Sequence, residues 1–154
     1  MRFTTREDIE APVEAVFAAV SDFEGFERAA LRRGAEVRRL GDHQRRGAGK
    51  GWLVHFRYRG RARELASEIV RFEPPHALTA FGGTGGIDGT LEVELTELAP
   101  RRTRLKLDLE LRPKTIGARL FLQSLRLAKS SLTNRFKKRV HDFARRLERN
   151  QRAG

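Results

Sequence analysis

Cysteine is missing from the 154 residues of this chain, and that absence excludes several kinds of site. Disulfides, thiolate zinc sites and thiol nucleophiles all require it. Long apolar runs are missing too: no window approaches the about 18 consecutive apolar residues of a membrane-spanning helix. The first residues, MRFTTRED, lack the apolar stretch of a signal peptide. We therefore expect a single cytoplasmic domain covering residues 1–154, an ordinary length for one domain.

Recognisable catalytic and cofactor motifs are also scarce. The four histidines include no pair at the close spacing of a metal site. No serine lies in a G-x-S-x-G elbow with a plausible base nearby. The glycine cluster at 82–89 matches neither the dinucleotide-binding pattern nor a phosphate-binding P-loop, so it predicts a flexible hairpin loop. These patterns predict no metal and no cofactor.

Positive charge is plentiful, and it is unevenly distributed. The formal net charge is +12, and residues from 116 onward carry 11 Lys/Arg against 2 acidic residues. One interpretation is a solvated outer face of a helix, and the other is docking to an anionic partner such as a membrane surface or RNA. Nucleic acid is the less favoured partner, because the aromatic residues of this segment lie on its apolar stripe. The candidate docking residues are Arg135, Lys137, Lys138, Arg139, Arg145, Arg146 and Arg149.

The same C-terminal segment carries a continuous apolar stripe at steps of three and four residues. That spacing predicts one long amphipathic helix from 116 to 152. At about 1.5 Å per residue it would extend about 55 Å, more than the width of a domain of this size. We therefore expect a kink at Gly117 or at Ser130–Ser131, or a basic end that overhangs the sheet. The stripe comprises Phe121, Leu125, Ala128, Leu132, Phe136, Val140, Phe143 and Leu147.

The rest of the chain predicts a sheet. Alternation over residues 2–9 indicates a first strand, and two short helices follow, the first beginning at Pro12 and the second ending at Gly34. Clear period-two alternation then marks strands around 52–58, 87–96 and 103–112. One apolar face on successive strands indicates an antiparallel sheet covered on one side. We expect an α+β fold in which a curved antiparallel sheet of about seven strands wraps around the long C-terminal helix.

These elements and motifs resemble the START-like helix-grip superfamily, which includes polyketide cyclases, coenzyme Q-binding proteins and lipid-transfer domains. The resemblance rests on Ile9–Phe17 (IEAPVEAVF), on Ser21-Asp22-Phe23, and on the serine-rich amphipathic C-terminal helix. It implies a cavity for an apolar ligand between the sheet and the helix, with the short helices and the glycine loop at its mouth. The expected function is binding or transport of a lipid, isoprenoid or polyketide-like molecule. The alternatives are a cyclase or dehydratase using the same cavity, and a protein that docks on RNA or a ribonucleoprotein.

The residues that face inward in this arrangement are almost wholly apolar. They either fill a solid core or line a cavity, and the pattern leaves both open. Tyr58, Ser67 and Thr79 are the candidate polar anchors. The apolar candidates are Trp52, Val54, Phe56, Leu91, Val93, Leu107 and Leu109 on strands, and Phe121, Leu125, Leu132 and Phe136 on the helix.

Glu64 and Tyr58 are the candidate catalytic residues for the enzyme alternative. If the strand after Gly60 keeps the phase of Tyr58 and Ala62, Glu64 points inward, where burial would raise its pKa and suit it to acid–base chemistry. A bulge near Gly60 would instead turn Glu64 outward and bring Leu65, Ser67 and Ile69 inward. Both arrangements are compatible with the sequence.

Overall fold

The computed structural model describes residues 1–44 and 47–153. Within these two ranges, seven strands and four α-helices follow one another. They are β1 (Arg2–Ile9), α1 (Val13–Val20), α2 (Phe23–Arg32), β2 (Glu36–Leu40), β3 (Gly51–Tyr58), β4 (Arg61–Glu73), β5 (Ala77–Thr84), β6 (Ile87–Ala99), β7 (Arg102–Pro113), α3 (Ile116–Leu125) and α4 (Lys129–Ala153). Among these residues no helix is both long enough and apolar enough to cross a bilayer.

All seven strands form one antiparallel sheet in the order β1-β7-β6-β5-β4-β3-β2. The chain therefore starts at one edge of the sheet, and α1 and α2 carry it to the opposite edge, where β2 begins. From β2 onward each strand pairs with the one before it, until β7 returns to β1. This arrangement confirms the predicted helix-grip fold, with two short helices after the first strand and a long helical segment at the end.

Local sequence signals explain where the helices begin. Pro12 immediately precedes α1, where its fixed φ suits the start of a helix. Asp22 caps α2 by accepting a hydrogen bond from the backbone N–H of Gly25 at 3.1 Å. Thr115 caps α3 in the same way through the N–H of Ala118 at 3.0 Å. Each cap satisfies an N–H group that the helix leaves without a partner.

The C-terminal helix is broken by one 3₁₀ turn, Arg126–Ala128, between α3 and α4. The break therefore lies nine residues after Gly117 and two residues before Ser130, so neither expected kink position is correct. The two helices bury different faces: α3 packs near β7 through Ala118 and Leu122, whereas α4 packs on β1. Because the turn changes the rotation of the chain, the residues before it do not continue the stripe of α4.

A buried carboxylate fixes the far end of α4 to the corner between β1 and α1. Glu148 accepts a hydrogen bond from the backbone N–H of Glu10 at 2.8 Å and lies 3.2 Å from Arg145. Arg145 in turn donates to the carbonyl of Asp8 at 2.9 Å. A buried group of this kind is stable only while its partners remain in place.

Replacing Glu148 by alanine is expected to lower the free energy of unfolding by about 1–2 kcal/mol, because the Glu10 N–H and Arg145 lose an acceptor. Urea unfolding followed by far-ultraviolet circular dichroism measures this change. Glu148→Gln keeps an acceptor oxygen and should lose less. Equal losses in the two variants would contradict the role given to the hydrogen bond.

Candidate functional site

An apolar cavity of about 540 Å³ lies between the inner face of the sheet, α2 and α4. Six of the seven strands, β2 to β7, contribute to its wall, together with the last residue of α1. A volume of this size falls in the range of sites that hold a small organic molecule. All but three of the residues that line it are apolar, the exceptions being Glu27, Ser67 and Arg139.

Seven of the predicted cavity residues lie in this wall. Trp52 and Val54 come from β3, Ser67 from β4, and Leu91, Val93 and Leu107 from the adjacent pair β6 and β7, while Phe136 comes from α4. On the strands they occupy alternate positions, so their side chains leave the sheet on the same face. The space between these strands and α4 is therefore open rather than filled by side chains.

Other predicted cavity residues lie outside the wall. Phe56 and Leu109 are half-buried beyond the cavity on the same strands, and Leu125 and Leu132 are half-buried on the helices. Phe121 is 53% exposed, because α3 buries its neighbour Leu122 instead. Thr79 is buried but not in the wall, since its neighbours Leu78 and Ala80 are the β5 residues that line the cavity. The prediction that Thr79 faces the cavity is therefore wrong, because Thr79 lies on the opposite face of β5.

The turn between β3 and β4 decides which residues of β4 face the cavity. Tyr58 pairs with Arg61, so the turn consists of only Arg59 and Gly60, with φ values of 52° and 74°. Two central residues with positive φ are typical of the tight turn that joins antiparallel strands. Residues that flank such a turn are paired and share a face. The odd-numbered positions at the start of β4 therefore share the face of Tyr58, without any bulge near Gly60.

Glu64 consequently points away from the cavity. Its carboxylate is exposed, and Oε2 lies 2.9 Å from Nε2 of His55 on the outer face of the sheet. It borders a second, more polar cleft of about 640 Å³ beside the β5–β6 turn. Tyr58 is 54% exposed near the end of the hairpin, where the guanidinium groups of Arg59 and Arg63 lie over its ring. Neither candidate catalytic residue reaches the apolar cavity.

A carboxylate that the sequence analysis did not select, Glu27, lies in the cavity wall. Its Oε2 accepts hydrogen bonds from Nε1 of Trp52 at 2.9 Å and from Nε of Arg39 at 2.7 Å. Its Oε1 accepts a second hydrogen bond from Arg39 at 2.7 Å. The hydrogen bonds from Arg39 are the main reason why the pKa of Glu27 lies below its ordinary value of 4.5. The carboxylate is therefore ionised at neutral pH.

Glu27 holds α2 against the sheet and so completes one wall of the cavity. Trp52, whose indole it binds, packs at 5.2 Å between ring centroids against Phe23 of α2. The His43 ring also packs on Trp52 in a T-shaped arrangement, with 5.1 Å between ring centroids. The spacing of α2 contained the signal for this role, because Glu27 is four residues after Phe23 and three before Ala30 on the apolar face of the helix.

The basic residues of α4 have three different positions. Most of the predicted docking residues are exposed: Arg135, Lys137, Lys138, Arg139, Arg146 and Arg149. Arg139 also contributes to the cavity wall, one turn from Phe136 and Phe143. Arg145 is half-buried and bonds to Glu7, Asp8 and Glu148, so its contacts are structural. A docking role for Arg145 does not fit these contacts, because its charge is already paired.

Comparison with known proteins places this architecture in a family. Residues 1–148 match the family described as polyketide cyclase / dehydrase and lipid transport. The chain belongs to this family. The match confirms the resemblance inferred from the N-terminal motif and from the order of the elements. No curated protein sequence matches the chain.

Solved structures with the fold of the polyketide cyclase / dehydrase and lipid transport family superimpose over nearly the whole chain. The ZhuI aromatase/cyclase from Streptomyces sp. R1128 is 16% identical, with a TM-score of 0.69 over 99% of this chain and 96% of that one. The protein TTHA0849 from Thermus thermophilus is 17% identical, with a TM-score of 0.66 over 96% and 97%. Norcoclaurine synthase from Thalictrum flavum is 11% identical, with a TM-score of 0.65 over 98% and 96%. At these identities the likeness extends to the fold alone.

Proposed function

We propose that this protein binds and carries a hydrophobic small molecule, such as a lipid, an isoprenoid or a polyketide-like compound, in the cavity between the sheet and α4. The observation that supports this proposal is the cavity itself: about 540 Å³, with 17 apolar residues among the 20 that line it. Burial of apolar ligand surface would provide most of the affinity, at about 25 cal/mol per Å² removed from water. The family, which includes lipid transport, is consistent with this function.

Two of the three polar residues of the wall, Ser67 and Arg139, give the ligand an orientation in this proposal. Ser67 lies on β4. Arg139 is exposed, so it marks a side of the cavity that solvent reaches. A ligand with one polar group would place that group near Arg139 or Ser67 and its apolar part against Leu91, Val93 and Leu107. Tyr58 and Thr79 are not part of this proposal, because neither lines the cavity.

Binding is a better proposal than cyclisation or dehydration, because those reactions need an acid or a base inside the cavity. Glu64 and Tyr58 lie outside the wall. Glu27 lies in it, but both of its oxygens accept hydrogen bonds and its lowered pKa makes it a weak base. The proposed docking of the α4 basic face on an anionic surface, like the less favoured docking on RNA, remains a separate prediction.

The test is to purify the chain under native conditions, extract it with organic solvent and identify the extracted compounds by mass spectrometry. We expect a hydrophobic compound in near-stoichiometric amount, and saturable 1:1 binding of the neutral fluorophore N-phenyl-1-naphthylamine by the delipidated protein. An empty extract together with non-saturable fluorescence would overturn the proposal. Turnover of a cyclisable polyketide analogue would favour the enzyme alternative instead.

A further inference from the structure

Four large apolar side chains project into solvent from α3 and the 3₁₀ turn that follows it. Leu127 is 95% exposed, Ile116 81%, Leu120 61% and Phe121 53%. We call this set the α3 apolar surface. Its first three members are the most exposed large hydrophobic residues of the described chain. Ile116 and Leu120 are four residues apart in α3 and therefore share one side of the helix. Clustered apolar exposure of this kind marks a surface that meets a partner.

A different rotation of α3 about its axis would not remove the exposure of the α3 apolar surface. Ala118 and Leu122, offset by two residues from Ile116 and Leu120, are buried, so the opposite side of α3 already packs on the protein. This side of α3 lies close to the β5–β6 turn. If Gly86 of that turn carried a Cβ atom, the atom would lie 3.6 Å from the Cβ of Ala118. Rotating α3 to bury Leu120 would expose Leu122. The helix is thus apolar on both sides, as expected of a helix that is covered on both.

The chain around this surface carries only positive charge. From Leu111 to His141 there is no Asp or Glu, and there are nine Lys or Arg residues. Arg119, Arg126 and Lys129, which are interleaved with the α3 apolar surface, are exposed. Within residues 1–44 and 47–153 no acidic side chain forms an ion pair with these three.

This combination of charge and hydrophobicity selects one partner. A second copy of the chain would bring two stretches of like charge together, which is unfavourable. RNA or another soluble polyanion would bind the cations but would leave Ile116 and Leu127 in water. The interface of an anionic bilayer offers phosphates to the cations and acyl chains to the apolar residues, the pattern of a helix that lies in a membrane surface.

We propose that residues 116–129, which comprise α3, the 3₁₀ turn and the first residue of α4, dock this protein on anionic membranes. Ile116, Leu120 and Leu127 enter the acyl boundary of the bilayer, and Arg119, Arg126 and Lys129 bind lipid phosphates. The inference goes beyond ligand binding, because none of these residues lines the cavity. It also differs from docking by the α4 basic face, which lacks the exposed apolar side chains.

The test is co-sedimentation of the full chain with vesicles of phosphatidylcholine alone or with one quarter phosphatidylglycerol. We expect binding to the anionic vesicles only, weakened as NaCl rises from 0.1 to 0.5 M because the charges are screened (Debye length about 10 Å at 0.1 M). The double variant Ile116→Gln/Leu127→Gln should bind at least about tenfold more weakly, since two side chains no longer favour the acyl region. Both sites are exposed, and an unchanged melting temperature verifies the fold.

Leu98→Gln is the matched control, because Leu98 is 41% exposed near the end of β6 that lies away from α3. It should bind as the wild type does. In a Leu127→Trp variant, brominated lipids should quench fluorescence beyond the level given by the buried Trp52 of the wild type. The proposal is overturned by equal binding of the double variant and the wild type, by equal binding to neutral vesicles, or by no binding. It is also overturned by a wild-type dimer, seen in light scattering, that the double variant dissociates.

Discussion

Ala80→Phe is expected to weaken binding of N-phenyl-1-naphthylamine at least about tenfold while the protein stays folded. Ala80 lies on β5, the central strand of the sheet, and pairs with Ile69 and Leu91, which also line the cavity. A phenyl ring at this position would project into the middle of the space that a ligand would fill. A tenfold weaker Kd corresponds to a loss of about 1.4 kcal/mol of binding free energy. A ring that occupies the ligand's space is expected to cause at least this loss.

The fold should tolerate this ring because the space for it already exists. Adding atoms to a tightly packed core costs about 1–3 kcal/mol, but here the added ring enters an open cavity. We therefore expect the melting temperature to change little. Fluorescence titration of the delipidated protein measures the affinity, and circular dichroism measures the melting curve.

Ala66→Phe provides the matched control for that substitution. Ala66 is on the neighbouring strand β4, but it is exposed and points to the opposite side from Ser67. The control should bind the fluorophore like the wild type. Full binding by Ala80→Phe would show that the fluorophore occupies another site, and the cavity would then lose its assigned role.

Period-two alternation predicted the cavity-facing side of several strands from the sequence. Trp52 and Val54 on β3, and Leu91 and Val93 on β6, occupy alternate positions of their strands, and the structure places all four in the wall. Whether the wall encloses space or a filled core was not predictable. That depends on how far α4 lies from the sheet: it packs on β1 at one edge and faces the central strands across the cavity.

Alternation did not predict which face of the sheet carries Glu64. That face depends on whether the β3–β4 turn contains an even or an odd number of residues. Pairing of Tyr58 with Arg61 leaves a two-residue turn, Arg59–Gly60, and this turns Glu64 outward. One residue more or fewer would reverse every side chain of β4. Alternation within a strand carries no information about that number.

For the helices, the sequence did not predict where the apolar stripe is interrupted, but it did contain the signal for two polar residues of the cavity wall. The predicted stripe through residues 121–147 requires one uninterrupted α-helix. The 3₁₀ turn at Arg126–Ala128 changes the helical rotation, so residues before the turn face a different direction from those after it. In contrast, the positions of Glu27 and Arg139 were readable, since each is three or four residues from apolar residues that face the cavity. Polar residues on an apolar helix face therefore belong to the candidate site.

Glu27→Ala is expected to lower the free energy of unfolding by about 2–3 kcal/mol, because it leaves the indole N–H of the buried Trp52 without an acceptor. The side chain of Glu27 is only 14% exposed, and it joins α2 to β2 and β3 through Arg39 and Trp52. Loss of this link should also loosen α2 and weaken binding of N-phenyl-1-naphthylamine. Urea unfolding and fluorescence titration at pH 7 measure the two effects.

The contribution of Glu27 should depend on pH in a defined direction. Its pKa in the folded protein is below the ordinary value of 4.5, chiefly because of the hydrogen bonds from Arg39. The unfolded chain therefore binds the proton more tightly, and the stabilisation from the ionised carboxylate is complete well above pH 4.5 and is lost as pH falls through the folded-state pKa. The stability difference between the wild type and Glu27→Gln should accordingly shrink in acid.

Glu24→Ala is the control, since Glu24 is an exposed carboxylate on the same helix. It should change neither stability nor ligand affinity by more than a small amount. Because Glu24→Ala removes a negative charge from α2 but keeps the hydrogen bonds of Glu27 to Arg39 and Trp52, it distinguishes the effect of those bonds from the effect of charge. A difference between wild type and Glu27→Gln that stays constant from pH 7 to pH 3 would contradict the ionic contribution. Unchanged ligand affinity in Glu27→Ala would show that α2 holds its position through Phe23 and its apolar contacts, and not through the carboxylate.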